Sequence, residues 1–185
     1  MRPRKKRTWG GARKGAGRPR KDGSPLTKKG VPHHVRPVLK ERFPVHVTWR
    51  INRQVWSLRY RRLFVLVRSA MVWGTKDDFR VVHYAVEKDH IHLIVEAGDR
   101  KALWVGLQAL GIRIAKAVNG LMRRSGNMIA DRYHARILLN PAMVRNARNY
   151  LLTNAQKHYG TPLPDEFASQ LPLTPPNTWL LRRQE

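Results

Sequence analysis

Two histidines one residue apart, His90-Ile91-His92, are the first residues here whose spacing could do chemistry. In a β-strand, residues i and i+2 share a face, so both imidazoles would converge while Ile91 anchors in the core between them. That spacing suits a metal ion held by two nitrogens, although two histidines on a solvated sheet face would read the same way. Further along, Tyr150 and Asn154 stand four residues apart, which puts both on one side of a helix. A tyrosine hydroxyl, with an ordinary pKa of about 10, is a poor nucleophile at neutral pH unless a metal or base assists it. A metal held by two imidazoles and an amide would polarise a phosphate and lower the barrier to attack. The alternative is that Tyr150 belongs to a buried stripe with Ala147, Leu151 and Leu152. No carboxylate sits within the histidine motif, Glu87 and Glu96 lying nearby on either side, which counts against a zinc hydrolase with a carboxylate base. With no cysteine in the chain, thiolate catalysis, cysteine-based zinc sites and disulfides are excluded.

The elements that must position these residues are legible in the periodicity. Val45, Val47, Trp49 and Ile51 alternate with His46, Thr48 and Arg50, the pattern of a half-buried strand. Asn52 is placed to cap a helix running to about Trp73 and ended by Gly74. The β-rich runs 79–86 and 90–97, separated by Glu87-Lys88-Asp89, predict a hairpin. Asp99 would cap a long helix whose Leu103, Leu107, Leu110, Ile114 and Leu121 recur at helical spacing, stopped by Ser125-Gly126-Asn127. A fourth strand over about 128–139 follows, and Pro141 opens a last helix to about His158 with Gly160 just beyond. The order β-α-β-β-α-β predicts an α+β, ferredoxin-like antiparallel sheet with two helices on one face, plus an additional C-terminal helix carrying the tyrosine. The first and third strands are central in that topology. His46, Thr48, Arg50, His90 and His92 would then point to the bare face, part of which the last helix is free to cover.

Charge bounds the partner. The 185 residues carry 37 Lys and Arg against 12 Asp and Glu, a net charge of +25, while 42% are hydrophobic, enough to build a core. Residues 1–42 alone hold a net +13 with many Gly and Pro, and are expected to be a flexible basic arm. The folded domain would span 43–159, and the Pro-rich residues 160–185 would wrap its surface as irregular chain. No apolar run approaches the roughly 20 residues of a membrane span, and the basic start lacks the apolar stretch of a secretory signal. A soluble intracellular protein with a polyanionic partner is expected. In the arm, Gly17-Arg18-Pro19 resembles the core of an AT-hook, which would lay Arg18 and Arg20 in an A·T-rich minor groove; a general phosphate-binding tail is the plainer reading. Arg50, Arg132, Tyr133 and Arg136 are further candidates for nucleic-acid contact, with Tyr133 offering a stacking face. Arg59, Arg61 and Arg62 would either contact DNA or lie solvated on the first helix.

A strand reading hydrophobic-His-hydrophobic-His, a long helix, the strand 130-ADRYHARIL-138 and a helix with Tyr-x-x-x-Asn together resemble the REP-associated tyrosine transposases, members of the HUH single-strand transposase superfamily. The likeness covers about 43–159 and extends to 178-TWLLR-182. It implies an enzyme that cleaves and rejoins single-stranded DNA at hairpin or REP-like sequences through a 5′-phosphotyrosine, using Mg²⁺ or Mn²⁺. Carried over, His90 and His92 become metal ligands, Tyr150 the nucleophile and Asn154 the third ligand, with Gln156 or His158 as competitors. The segment 153-TNAQKHYG-160 departs from the family in lacking its common Asn-Pro pair, and the basic arm is long for it. The implied partners are single-stranded or hairpin DNA, and A·T-rich duplex through the arm. The implied setting is the bacterial cytoplasm and nucleoid, as a monomer or homodimer. Two alternatives stand beside this: a catalytically inactive or domesticated nucleic-acid-binding protein on the same scaffold, and an RNA- or ribosome-associated basic protein. The last would expose aromatics on the sheet face, where this chain places imidazoles.

Overall fold

The structure, a computed structural model, describes residues 37–160 and 162–183. Arg18, Arg20 and the AT-hook-like segment lie outside the described residues. The elements run β1 (Val45–Arg50), α1 (Arg61–Gly74), β2 (Phe79–Val86), β3 (His90–Ala97), α2 (Arg100–Leu121), β4 (His134–Ile137), α3 (Pro141–Tyr159) and α4 (Trp179–Arg182). All pairings in the four-stranded sheet are antiparallel and the strand order is β2-β3-β1-β4, so β1 and β3 are central, as the split β-α-β reading requires. Among the described residues no helix is long and apolar enough to cross a membrane.

Alternation along the central strands sends one set of side chains to each face. Val45, Val47 and Trp49 of β1 and Ile91, Leu93 and Val95 of β3 are buried under α1 and α2 with Leu63, Val67, Leu107, Leu110 and Ile114. Asp99 caps α2, its side chain accepting from the Ala102 N–H at 2.7 Å, and Asn140 caps α3 by accepting from the Met143 N–H at 2.9 Å. Gly160 closes α3 in the left-handed region (φ 64°), where glycine carries no Cβ penalty.

The second face holds a core of its own. Ile94 and Ala85 pack with Val144, Ala147 and Leu151 of α3 and with Ala168, Leu180 and Leu181 of the C-terminal segment. That segment is more than a surface wrapping. Its backbone follows the outer edge of β2, where Val86 N–H donates to Phe167 O, Ser169 N–H to Tyr84 O and Leu173 N–H to Val82 O. An edge strand's unpaired groups are thereby satisfied. The buried Glu96 of β3 then accepts the Asn177 and Thr178 N–H groups at 2.7–3.0 Å, docking α4 on the sheet.

Two boundaries differ from the periodicity. The first helix begins after Tyr60, because Asn52 spends its side chain on a local turn, accepting from the Gln54 N–H at 3.1 Å. Residues 52–60 instead run as loop against the β2–β3 turn, with Ile51 N–H donating to Asp89 O and Leu58 N–H to Lys88 O. The fourth strand shrinks to 134–137, because only Ile129 bridges to Ile51 before the chain leaves the sheet and returns.

Candidate active site

The antiparallel register sets Arg50 opposite His90 and Thr48 opposite His92, and on the other side His46 opposite Arg136 and Thr48 opposite His134. All seven side chains therefore share the face that α3 covers. His90 and His92 rings lie 6.3 Å apart and nearly parallel, and His46 lies 5.7 Å from His92. Asn140 and Pro141 start α3 so that Tyr150 comes down edge-on to His92, with ring centroids 5.2 Å apart, and 5.9 Å from His46. A single chain thus brings the tyrosine and the histidine pair together. Tyr150 is 37% exposed, so it borders the second core without being part of it.

His90 and His92 each have Nδ1 engaged. Asp89 Oδ1 lies 2.8 Å from His90 Nδ1; a carboxylate only accepts, so the imidazole donates there and Nε2 is the nitrogen outside that contact. The Thr48 hydroxyl lies 3.2 Å from His92 Nδ1, leaving Nε2 as the nitrogen outside that contact. Burial, then the neighbouring His46, His90 and His158, pulls His92 down to about 3. Burial, with His134 and Arg136 adding to it, pulls His46 down to about 4. Both rings are neutral at pH 7, the state in which an imidazole can ligate a metal. Tyr150 moves up from 10, through burial first and the Glu87 charge second.

Asn154, one helical turn beyond Tyr150, is buried and donates through Nδ2 to Glu87 Oε1 at 3.1 Å. Gln156 and His158 are exposed, so neither occupies the buried position that Asn154 holds, though His158 stays within electrostatic reach of His92. Glu87 and Asn154 are joined by Arg59, which forms a two-pronged pair with Asp165 at 2.8 Å on each prong and donates to Val86 O. Arg59 is thus a half-buried structural cation, whereas Arg61 and Arg62 are exposed on α1. Arg59, expected to contact DNA or lie solvated on the first helix, instead precedes α1 and is spent on this ion-pair network, and Asp165 is not singled out in the sequence at all. For Glu87 the only early signal was a carboxylate just ahead of the histidine motif.

A cleft of about 400 Å³ opens beside Tyr150, bounded by His46, His134, Arg136, Met143, Asn146 and Tyr150, and a second of about 440 Å³ opens elsewhere. The slightly larger one lies on the opposite face of the sheet, between α2 and the chain leading into β4, lined by Trp49, Trp104, Ile112 and Tyr133 with Arg132 at its side. Arg50 and Arg136 are exposed on the histidine face. Arg132 and Tyr133 are not brought to it: Tyr133 packs partly buried against the main core. His83, although buried on the second face, contacts Ser169 at 3.4 Å and stands apart from the pair.

No family model and no curated protein matches this chain. Among solved structures, a REP-associated tyrosine transposase bound to a REP hairpin superposes with a TM-score of 0.62 at 16% identity, over 76% of this chain and 83% of that one. A second, described as a putative transposase from Deinococcus radiodurans, gives 0.42 at 15% identity, over 65% of this chain and 94% of that one. The α+β architecture read from the sequence, with its antiparallel sheet and added tyrosine-bearing helix, is the fold of the REP-associated tyrosine transposase.

Proposed function

We propose that this protein binds a hairpin-bearing single DNA strand and cleaves and rejoins it through Tyr150, with a divalent cation at His90, His92 and Asn154. The observation that carries the reading is the approach of Tyr150 to His92 within one chain, on a fold shared with a hairpin-bound transposase. The donor set fits a cation: two imidazoles with Nδ1 engaged, and the Asn154 Oδ1, a buried acceptor with no hydrogen-bond donor. Among the described residues no three of His, Cys, Asp and Glu gather as a metal cluster. The set is therefore two nitrogens and one amide oxygen, which leaves positions for phosphate oxygens and water and suits Mn²⁺ or Mg²⁺. When bound, such an ion would supply Lewis-acid polarisation of the scissile phosphate.

The chain's own residues do the rest. Tyr150 holds its proton at neutral pH, since burial and Glu87 both disfavour the phenolate, so the proton leaves as the oxygen attacks. The bond from the tyrosine oxygen to phosphorus forms in line as the bond to the upstream 3′ oxygen breaks, and that oxygen leaves as a free 3′-OH. Phosphotyrosine keeps the ester bond energy, so rejoining needs no nucleotide cofactor. Arg50 and Arg136, exposed on the same face, supply positive charge for the phosphates entering the cleft.

A labelled single strand with a hairpin, incubated with protein and Mn²⁺, should yield a denaturation-resistant adduct only when the label lies downstream of the cut. Tyr150→Phe keeps the ring and its packing, so the adduct should vanish while hairpin binding persists. Adduct persisting in that variant would move the nucleophile elsewhere. Its absence from the native protein with any divalent ion would leave a hairpin-binding protein without catalysis.

A further inference from the structure

We propose that Glu87 is a positioning residue that locks the Asn154 side-chain amide so that its oxygen, and not its nitrogen, is presented as a ligand. This rests on the reading of Asn154 as the third metal ligand. An asparagine amide has two nearly isosteric orientations, and in only one does the oxygen face a cation. Glu87 removes the ambiguity. Its carboxylate accepts and cannot donate, so the group 3.1 Å from Oε1 must be the Asn154 nitrogen, and Oδ1 is turned elsewhere. Both residues are about 3% exposed, which leaves little water to compete for either amide end. Accordingly Asn154 Oδ1 has no hydrogen-bond donor, an arrangement costly for a buried acceptor unless something else fills its lone pairs.

Glu87 is in turn held on three sides. Its backbone N–H donates to His90 O at 2.9 Å, closing the turn that starts the histidine strand. Arg59 Nη1 stands 3.9 Å from Oε2, and Arg59 is itself gripped by Asp165 of the C-terminal segment. One side chain therefore ties the strand that carries both histidines to the helix that carries Tyr150 and Asn154. Glu87 itself is not placed as a ligand, since it does not gather with the histidines into a metal cluster among the described residues.

The test measures Mn²⁺ affinity of the full chain without DNA, by electron paramagnetic resonance of the free ion, in native protein, Glu87→Gln, Asn154→Ala and the double variant. Glutamine keeps shape but can donate as well as accept, so the Asn154 amide can turn over. Glu87→Gln should weaken Mn²⁺ binding by roughly tenfold, the scale typical of partners that orient a ligand. In the Asn154→Ala background the same change should cost nothing further, because its effect runs through the amide. An unchanged affinity in Glu87→Gln, or an equal loss in both backgrounds, overturns the proposal. If Asn154→Ala binds Mn²⁺ normally while His92→Ala does not, Asn154 is no ligand and the proposal falls while the histidine site stands. If His92→Ala also binds normally, the metal reading itself fails and the proposal with it. Hydrogen exchange on the native chain covers a variant that does not fold. The side-chain amide protons of Asn154 should exchange slowly without metal, and free exchange overturns the proposal equally.

Discussion

At the scale of single residues, burial on the histidine face keeps the His46 and His92 imidazoles neutral. His92→Ala should abolish cleavage in the labelled-strand assay while leaving hairpin affinity within a few-fold of native, because phosphate contacts and stacking dominate affinity. Cleavage at the native rate by that variant would remove His92 from the site. His83 shows the stability side of burial away from the proposed metal ligands. Burial first and then Arg148 draw it down from 6.5 to about 4. The unfolded chain therefore binds a proton before the folded one does, and stability present above pH 6.5 is lost as pH falls toward 4. The stake is on the order of 3 kcal/mol if the whole shift is expressed. His83→Gln should flatten the pH dependence of the urea midpoint across that window; an unaltered slope would mean that other groups carry the acid sensitivity.

At the scale of elements, docking of α2 on the sheet depends on close approach. A Cβ at Gly106 would fall into the ring of Phe79, which is itself 1% exposed and has nowhere to move. Gly106→Ala gains helix propensity but overpacks this contact, so a net loss of about 1–3 kcal/mol is expected. The urea midpoint should fall at constant m-value, and a stabilised variant would show that the interface yields. The position of α3 is set differently. It packs on β2 and β3 through Val82, Ala85 and Ile94 and also against the C-terminal segment, so Tyr150 is placed jointly by the sheet, α3, α4 and the tail residues around Ala168.

At the scale of the whole molecule, charge and fold are separable. Residues 1–42 hold a net +13 and the rest of the chain +12. Each phosphate contact on a single strand contributes about 0.7 to the log–log dependence of affinity on salt. Removing residues 1–42 should therefore flatten the salt dependence of hairpin binding markedly while adduct formation persists at low salt and saturating protein. Loss of the adduct under those conditions would make the arm part of the active site.

By itself the sequence determined the parts whose physics is local. Alternation in 45–51 and 90–97 set which residues face the helices and which face the imidazole side, and Asp99, Pro141 and Gly160 marked helix ends through chemistry that acts over a few residues. His90-Ile91-His92 and Tyr150-x-x-x-Asn154 were visible because strand and helix periods align them without help from the rest of the chain. Tertiary structure decided what no period encodes. Asn52 could have capped a helix, and did not, because 52–60 is held as loop by hydrogen bonds to the β2–β3 turn some forty residues away. Glu87, Arg59 and Asp165 look like ordinary surface charges in sequence. Only the folding of a loop, a hairpin turn and the C-terminal segment onto one point makes them a buried network around Asn154. Pairings of that kind depend on contacts between distant segments, and their partners' identities cannot be read from any local window of residues.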